Sequence, residues 1–408
     1  MKNKTHVVIV SSWFYPQNRV ACYRMNSFAK YLDHDRFDIS IVTLLSDKNL
    51  PMEEQIFDCK VMRVPSNKLV KIRQQVTTDN WLVHQVKSLN NVLVGQMNKE
   101  DYPGWAKNAT DKLLDLHEHQ PIDVIISSYA PMDAHLATLN FKLKYPEVKW
   151  VADMRDEMSM NPFLSTTDKK DLRSLELKLA KKIDALTSVS KPILNDFAEI
   201  MAGNEIKFVE VRNGFDHDKQ PYGNFNEQFT MLYAGTFYGK RKPDTFFSAL
   251  SNLLEQGKLS KEWKLQLLGT HKNFQVPKEL SNNLEFLPTA DNEAAVDMMF
   301  KADCNVLIHP PMGVKGVFTG KLFEYISANK PVLALVDKSD VAAELIEEQN
   351  AGFIADFYSI DEIEEAILDA YATWKEKRTL PFNADKVKTL HRKHQAKIME
   401  SVIEKILN

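Results

Sequence analysis

The sequence predicts an α/β protein with two doubly wound Rossmann-like domains that face a central cleft. The chain has 408 residues, more than a single hydrophobic core usually serves. Short β-branched runs alternate with longer segments of helical period, the pattern of parallel sheets with crossover helices. A polar, turn-rich stretch at 213–224 interrupts this alternation, which then restarts. We therefore expect two sheets and a linker between them.

The first half of the chain supplies the elements of one doubly wound domain. Its helical segments have the apolar spacing of helices that pack on a sheet. The predicted strands are Val7–Ser11, Ile39–Leu44, Val124–Ser128, Trp150–Met154, Ala185–Val189 and Phe208–Val211. The predicted helices are Met25–Leu32, Ala106–His117, Ala134–Tyr145 and Lys169–Lys182.

The second half repeats the pattern. Its predicted strands are Phe229–Ala234, Lys264–Leu268, Leu284–Leu287, Cys304–Ile308 and Val332–Val336. Its predicted helices are Pro243–Gln256, Asn292–Lys301, Lys321–Asn329, Val341–Gln349 and Ile360–Glu376. We expect domains over 1–212 and 227–380, a linker over 213–226, and a helical segment over 381–408 that packs back on the first domain.

Composition limits the possible classes of protein. Hydrophobic residues make up 44% of the chain and charged residues 26%, as in ordinary globular proteins. A net charge of −3 without a long basic block argues against nucleic-acid binding. Three scattered cysteines do not form the spacing of a disulfide framework or zinc site. The apolar run at 7–10 is too short for a signal peptide, so we expect a cytoplasmic protein, with peripheral membrane association left open.

The first candidate site is the basic segment Gly235–Pro243, which follows a predicted strand and leads into a helix. Its three consecutive cations Lys240, Arg241 and Lys242 could neutralise a diphosphate beside glycine-containing backbone. A solvated basic turn is the alternative.

The second candidate site is Gly316–Tyr325, which also follows a strand. Thr319, Gly320 and Lys321 open a helix whose free N–H groups could bind a phosphate, and Glu324 could accept hydrogen bonds from ribose hydroxyls. The alternative makes Gly320 a helix-entry turn and Glu324 a partner of the helix dipole.

The third candidate site is the cluster Asp153, Arg155 and Asp156 after a predicted strand. Such charges are costly to bury without partners, so a polar cleft is expected, with a structural Asp–Arg ion pair as the alternative. Side chains that could line the same cleft are Asn18, Arg19, Arg24 and His135. The chain lacks the dinucleotide fingerprint, Walker A, zinc-protease and α/β-hydrolase motifs.

These segments resemble the retaining glycosyltransferases of family 4, which have the GT-B fold, over nearly the full chain. GKLFEYISANKPVLAL at 320–335 carries most of the resemblance, followed by NGFD at 213–216. VADMRD at 151–156, together with the opening loop at 14–16 and the helix near 28–32, is similar to a subgroup found with bacterial surface-polysaccharide synthesis.

The resemblance implies roles for the two domains and for single residues. The first domain would take the acceptor and the second the nucleotide sugar. Lys242 matches the family's pyrophosphate-binding lysine, and Glu324 matches the ribose-binding second glutamate of the E-x7-E motif. Arg155 stands where many members place a cleft histidine. The sequence departs from the family at Gly316, the place of the first glutamate, and at Thr236, the place of a phosphate-binding arginine.

The implied activity is metal-independent transfer of a sugar, with retention, from a nucleoside diphosphate to a glycan or lipid-linked acceptor. The nucleotide sugar is a substrate, and no cofactor is expected. Two alternatives stay open. One is a sugar-nucleotide epimerase of the same fold, and the other is a catalytically silent sugar-nucleotide-binding partner.

Overall fold

The computed structural model describes residues 4–17, 20–67, 101–221 and 223–408. The chain divides into two compact units. Unit 1 comprises Met1–Val211 and Gln395–Asn408, and unit 2 comprises Arg212–His394. Residues 381–394 thus belong to unit 2, and the last helix belongs largely to unit 1.

Unit 1 contains an eight-stranded sheet. Its strands are β1 (Thr5–Ser11), β2 (Phe37–Leu44), β3 (Glu53–Ile56), β4 (Cys59–Val64), β5 (Val124–Tyr129), β6 (Lys149–Met154), β7 (Ala185–Ser188) and β8 (Lys207–Glu210). The strand order is β3-β4-β2-β1-β5-β6-β7-β8, and all pairs are parallel except β3 with β4. Chain order reverses between β1 and β5, which makes that position the switch point of the sheet.

The helices of unit 1 cover both faces of this sheet. Among the described residues, these helices are α1 (Val20–Tyr31), α2 (Trp105–His119), α3 (Asp133–Lys144), α4 (Thr166–Leu179), α5 (Lys191–Ile200) and, after unit 2, α12 (Arg392–Leu407). Alternate β1 residues pack on opposite sides: Val7 and Ile9 join a core with Met399 of α12, whereas Val8 and Val10 join a core with Trp105 of α2. Buried alternating side chains therefore build two core layers.

Unit 2 contains a six-stranded, wholly parallel sheet. Its strands are β9 (Phe229–Ala234), β10 (Trp263–Leu268), β11 (Leu284–Leu287), β12 (Cys304–His309), β13 (Val332–Val336) and β14 (Gly352–Asp356). The order β11-β10-β9-β12-β13-β14 runs outward in both directions from β9 and β12. This is the Rossmann order, whose ligand crevice opens at the carboxyl ends of the two central strands.

The helices of unit 2 are α6 (Asp244–Glu255), α7 (Asn292–Lys301), α8 (Gly320–Ser327), α9 (Val341–Gln349), α10 (Ile360–Lys375) and α11 (Ala384–Thr389), with a short 3₁₀ turn at Lys278–Leu280. Side-chain caps fix several of their starts. Asp291 accepts from the backbone N–H of Ala294 at α7, and Ser359 accepts from that of Glu362 at α10. Each cap satisfies a helix N–H that lacks an intrahelical partner.

The sequence pattern predicts most of these elements but not four of them. β9, β11, β13, α7 and α9 have the predicted bounds. The prediction omits β3, β4, β14 and α5. β3 reads Glu-Glu-Gln-Ile and is mostly solvent-facing, and β14 opens on a glycine, so neither carries the apolar β-branched signal on which the prediction relied.

Gly352 supplies a test of the β13–β14 pairing. A Cβ at this position would lie 2.0 Å from the carbonyl oxygen of Val332, so any side chain forces the two backbones apart. We expect Gly352→Ala to destabilise the fold by about 1–3 kcal/mol, the usual cost of overpacking, seen as a midpoint of thermal unfolding several degrees lower. Gly223→Ala is the control, because a Cβ there meets no atom within 4 Å. Equal midpoints for the two variants would contradict this account.

Candidate functional site

The two loops that follow the central strands of unit 2 form the candidate site. β9 pairs directly with β12, through Met231 with Cys304 and Leu232 with Asn305. The basic segment Gly235–Pro243 follows β9, and the segment that leads to Gly320 follows β12. Because both strands end at the same edge of a parallel sheet, the topology brings these two loops together.

Lys321, in the first turn of α8, lies against β9. Its Nζ is 4.5 Å from the ring centroid of Tyr233 and 2.5 Å from where a Cβ on Gly235 would stand. Gly235, at φ +125°, thus leaves the space that the ammonium group occupies. Burial, and then the nearby Arg241, lower the pKa of Lys321 to about 7. The surroundings of the amine therefore disfavour its charged form.

Arg241 is the second cation of the site. Its Nη2 donates to Nδ1 of His309, 2.8 Å away at the end of β12, and its Nη1 donates to the hydroxyl of Tyr238 at 3.2 Å. Burial foremost, with Arg241 adding to it, lowers the pKa of His309 to about 4. His309 is therefore neutral near pH 7 and accepts a hydrogen bond instead of adding charge.

No carboxylate in the described part of the chain forms an ion pair with Lys321 or Arg241. Nε of Arg241 and the hydroxyl of Thr319, the residue before α8, are buried and have no hydrogen-bond partner among the described residues. Two uncompensated cations, unused donors and the positive end of α8 together favour an anion. We call Arg241, Lys321 and the Thr319–Gly320 helix start the cationic pocket.

The turn after β9 decides which of the three predicted cations enters this pocket. The backbone N–H of Arg241 donates to the carbonyl of Tyr238 at 3.0 Å, which turns Arg241 back toward His309. Lys240 and Lys242 are exposed. The structure therefore brings together Arg241 and Lys321, whereas Lys242, the match to the family's pyrophosphate-binding lysine, is exposed to solvent.

Glu324 lies in an ionic cluster that the sequence did not predict. The carboxylate is buried, with Oε2 3.4 Å from Nε2 of His217 and Oε1 4.0 Å from Nη2 of Arg392. His217 also contacts the hydroxyl of Ser327 at 2.9 Å. Oε2 of Glu324 has no hydrogen-bond partner among the described residues. His217 and Arg392 thus hold the carboxylate in place and leave one oxygen able to accept a hydrogen bond.

Gly316 holds the loop that leads to α8. Its backbone N–H donates to Oδ1 of Asp340 at 2.7 Å, and the same carboxylate oxygen accepts from the N–H of Val341 at the start of α9. Gly316 has φ +95°, which favours glycine. A backbone contact therefore orders the loop where the resemblance places a glutamate.

In unit 1, Asp153 and Arg24 form a buried ion pair. Nε and Nη2 of Arg24 donate to the two carboxylate oxygens of Asp153 at 2.8 and 2.6 Å, and Nη1 donates to the carbonyl of Val211 at 2.7 Å. Thr187 adds a hydrogen bond to Asp153 at 2.7 Å. Both side chains are almost fully buried. These contacts support the structural alternative for Asp153, and for Arg24 they replace the expected cleft role.

The other two charged residues of this cluster differ in burial. Asp156 is exposed. Arg155 is half-buried, its Nη2 donates to the carbonyl of Ala130, and burial lowers its pKa from the usual value. Nε of Arg155 has no hydrogen-bond partner among the described residues. Arg155 therefore keeps a donor that a ligand could use.

His135 is a core residue and not a surface group. Its side chain is fully buried, Nδ1 lies 2.6 Å from the hydroxyl of Ser127, and Nε2 lies 3.2 Å from the sulfur of Met154. Burial lowers its pKa to about 3, so the ring is neutral. The expected cleft role is thus corrected, because the first turn of α3 points this ring into the sheet. Asn18 and Arg19 lie outside the described residues.

Metal ligands do not gather in the described ranges: no group of three or more His, Cys, Asp or Glu side chains could hold an ion there. The three cysteines are buried and form no disulfide with one another. The expectation of metal independence stays a prediction.

Comparison with known proteins gives a family match within unit 2. Residues 214–387 match the family model described as glycosyl transferases group 1, a range that lies within unit 2. At the sequence level, no curated protein matches the chain.

Solved structures share the fold at low identity. A sucrose-phosphate synthase from Thermosynechococcus elongatus superposes with a TM-score of 0.66 at 13% identity, covering 99% of each chain. An E. coli structure described as trehalose-6-phosphate bound with UDP-2-fluoro glucose gives 0.61 at 13% identity, over 98% of this chain and 99% of the other. A mutant of S. aureus TarM in complex with fondaparinux, alpha-GlcNAc-glycerol and UDP gives 0.53 at 12% identity, over 74% and 59%. The predicted fold class, two Rossmann-like domains of GT-B type, is confirmed.

The Arg24–Asp153 pair yields a stability prediction. Removing one partner leaves a buried charge uncompensated, which typically costs about 3–5 kcal/mol. We expect Arg24→Met to lower the free energy of unfolding of unit 1 by this amount in urea titration. Asp156→Asn, in the same cluster but exposed, is the control and should change it by less than about 0.5 kcal/mol. An Arg24→Met protein of wild-type stability would return Arg24 to the candidate ligand-binding residues.

Proposed function

We propose that this protein is a glycosyltransferase (EC 2.4) that moves a sugar from a nucleoside-diphosphate donor to a glycan or glycolipid acceptor, with retention and without a metal. The observation that carries the proposal is the pair of uncompensated cations, Arg241 and Lys321, at the β9/β12 switch point. A diphosphate supplies the negative charge that this pocket lacks. The family match over unit 2 and the UDP-containing structures of similar fold support the same donor class.

Catalysis would depend on the departing diphosphate. Charge grows on its terminal phosphate as the bond to the sugar breaks, and preorganised cations in a poorly solvated pocket stabilise that charge more than they stabilise the ground state. Arg241 offers a planar fork of donors, Lys321 a point charge, and α8 its first N–H groups. Retention would follow from attack on the same face, with the leaving phosphate accepting the acceptor's proton. No protein nucleophile is then required.

Glu324 and Arg155 have separate proposed roles. Glu324 would accept hydrogen bonds from the ribose hydroxyls through Oε2, while His217 and Arg392 hold the carboxylate in position. Arg155 would act as the catalytic group of unit 1, because its Nε is a buried donor without a partner among the described residues. Asp153 would support that segment through its pair with Arg24.

A transfer assay tests the function. Purified protein is incubated with UDP-glucose, UDP-N-acetylglucosamine or GDP-mannose, with and without lipid-linked and free glycan acceptors. Acceptor-dependent release of nucleoside diphosphate with a retained anomeric configuration supports a transferase. Isomerised donor without acceptor supports the epimerase. Binding without turnover supports the silent partner, a candidate that the glycine at 316 in place of the family's glutamate favours.

Replacing Arg241 distinguishes the pocket from the exposed basic turn. We expect Arg241→Ala to weaken nucleotide binding by about 10- to 100-fold, the loss of a charge-assisted hydrogen bond of about 1.5–3 kcal/mol. Lys242→Ala, an adjacent but exposed cation, is the matched control and should change affinity by less than about threefold. Isothermal calorimetry with the tightest-binding nucleotide sugar measures both. Equal losses of affinity in the two variants would show that the turn attracts the nucleotide through its total positive charge and not through Arg241 in particular.

We further propose that the protein works at the cytoplasmic face of a membrane, in bacterial surface-polysaccharide synthesis, where lipid-linked acceptors are found. Across the described residues, no helix is long and apolar enough to cross a bilayer. The loop between β6 and α4 exposes Met160 and Phe163, 46% and 70% accessible, and Lys169 and Lys170 follow in α4. Exposed apolar side chains in one loop suit insertion into a membrane interface, although Asp168 and Asp171 flank the two lysines and offset their charge.

Vesicle binding tests this surface. We expect the protein to co-sediment with vesicles rich in phosphatidylglycerol, and Phe163→Glu to reduce the bound fraction several-fold. Tyr358→Glu, which changes another exposed aromatic residue, one of unit 2, is the control and should bind as wild type does. High salt should weaken binding, because it screens the lysines. Unchanged binding by Phe163→Glu would exclude this loop as the contact.

A further inference from the structure

Lys321 is half-buried, and its amine has no carboxylate partner among the described residues. Three titratable or charged groups face it: Tyr233 from β9, Arg241 from the loop after β9, and His309 from β12. None of them is an acid that is ionised at neutral pH. By contrast Lys142, the buried lysine of unit 1, donates to the carbonyls of Pro146 and Val148 and pairs with Asp184 at 3.4 Å. Among the described residues, the ammonium form of Lys321 therefore has no compensating carboxylate until a ligand supplies an anion.

We propose that Lys321 takes up a proton when a nucleoside-diphosphate sugar enters the cationic pocket, so that donor binding is proton-linked and strengthens as the pH falls. This inference rests on the proposed function, because it takes the diphosphate as the anion. The proton comes from solvent and stays on Nζ, which then donates to a phosphate oxygen. No covalent bond changes.

The surroundings of Lys321 explain the direction of the effect. Burial and Arg241 both disfavour the ammonium form in the empty pocket and bring its pKa to about 7. A bound diphosphate adds negative charge next to Nζ and raises that pKa. A group whose pKa rises on binding takes up a proton, and its contribution to affinity is complete below the free-state pKa and declines above it.

Neighbouring groups do not titrate in the same range. His309 has a pKa of about 4, so it stays neutral from pH 6 upward. Burial raises the pKa of Tyr233 far above neutrality. An arginine guanidinium group does not lose its proton in proteins. Between pH 6.5 and 8.5 Lys321 is thus the titrating group of the pocket.

The size of the effect follows from one-proton linkage. With a free-state pKa of about 7, binding at pH 8 should take up about 0.9 proton, and affinity should fall about 25-fold from pH 6.5 to 8.5. Calorimetry at pH 8 in two buffers of different ionisation enthalpy measures the uptake directly. UDP-glucose, UDP-N-acetylglucosamine and GDP-mannose serve as probes, because their diester phosphates stay ionised, whereas a terminal phosphate titrates near pH 6.

Two variants of Lys321 distinguish the effect of proton uptake from the effect of positive charge on binding. Lys321→Arg keeps a permanent positive charge, so we expect binding without buffer-dependent heat and with a flat pH profile. Lys321→Met has no titrating group, so we expect weaker binding at pH 6.5 and again a flat profile. Circular dichroism confirms that both variants fold.

The outcomes are distinct. Wild-type binding whose heat is the same in both buffers, or a pH profile that survives in Lys321→Arg, would overturn the proton linkage while leaving the proposed function in place. Failure of every probe to bind at pH 6.5 would overturn the proposed function itself and the linkage with it. Uptake of close to one proton by wild type alone would establish Lys321 as its site.

Discussion

The cationic pocket depends on one electrostatic constraint: two positive side chains are held in a poorly solvated place without a carboxylate to balance them. Arg241 donates hydrogen bonds to His309 and Tyr238. The amine of Lys321 lies over the ring of Tyr233, in the space that the absence of a side chain at Gly235 leaves open. Such an arrangement costs folding free energy. It is tolerated where a ligand supplies the missing charge, which is why strongly shifted groups gather at functional sites.

In unit 1, by contrast, the buried charges of Arg24 and Asp153 compensate each other. Arg24 and Asp153 satisfy each other through two hydrogen bonds, and Val211 and Thr187 take up the remaining donor and acceptor. The hydrogen-bonding groups of that pair are mostly used within the protein, so few remain for a ligand. Removing one partner would destabilise the fold, because the other charge would stay buried without compensation. The same residue types therefore stabilise one unit and leave the other ready to bind. The two units differ in whether a carboxylate lies close enough to pair with the buried cation, and the local sequence motif does not determine this.

The alternating hydrophobic pattern was enough to predict most strands of both sheets, most helices and the loops that carry the pocket. It could not reveal contacts between residues far apart in the chain, such as Arg24 with Asp153 or Glu324 with Arg392. It also could not decide which of three consecutive cations turns inward, because one backbone hydrogen bond sets that direction. His135 was misplaced for a related reason: a histidine near a strand end looks the same in sequence whether it faces solvent or the core.

The two departures from the family resemblance have a common physical explanation. Thr236 is exposed where an arginine is expected, yet Arg241 brings a guanidinium to His309 from five residues further along. Gly316 replaces a glutamate, yet its N–H is fixed by Asp340 and the loop stays ordered. What the pocket requires is positive charge beside β9 and β12 and a fixed approach to α8. Because a turn can deliver either from more than one position, positive charge reaches these strands without the two residues that the resemblance leads us to expect.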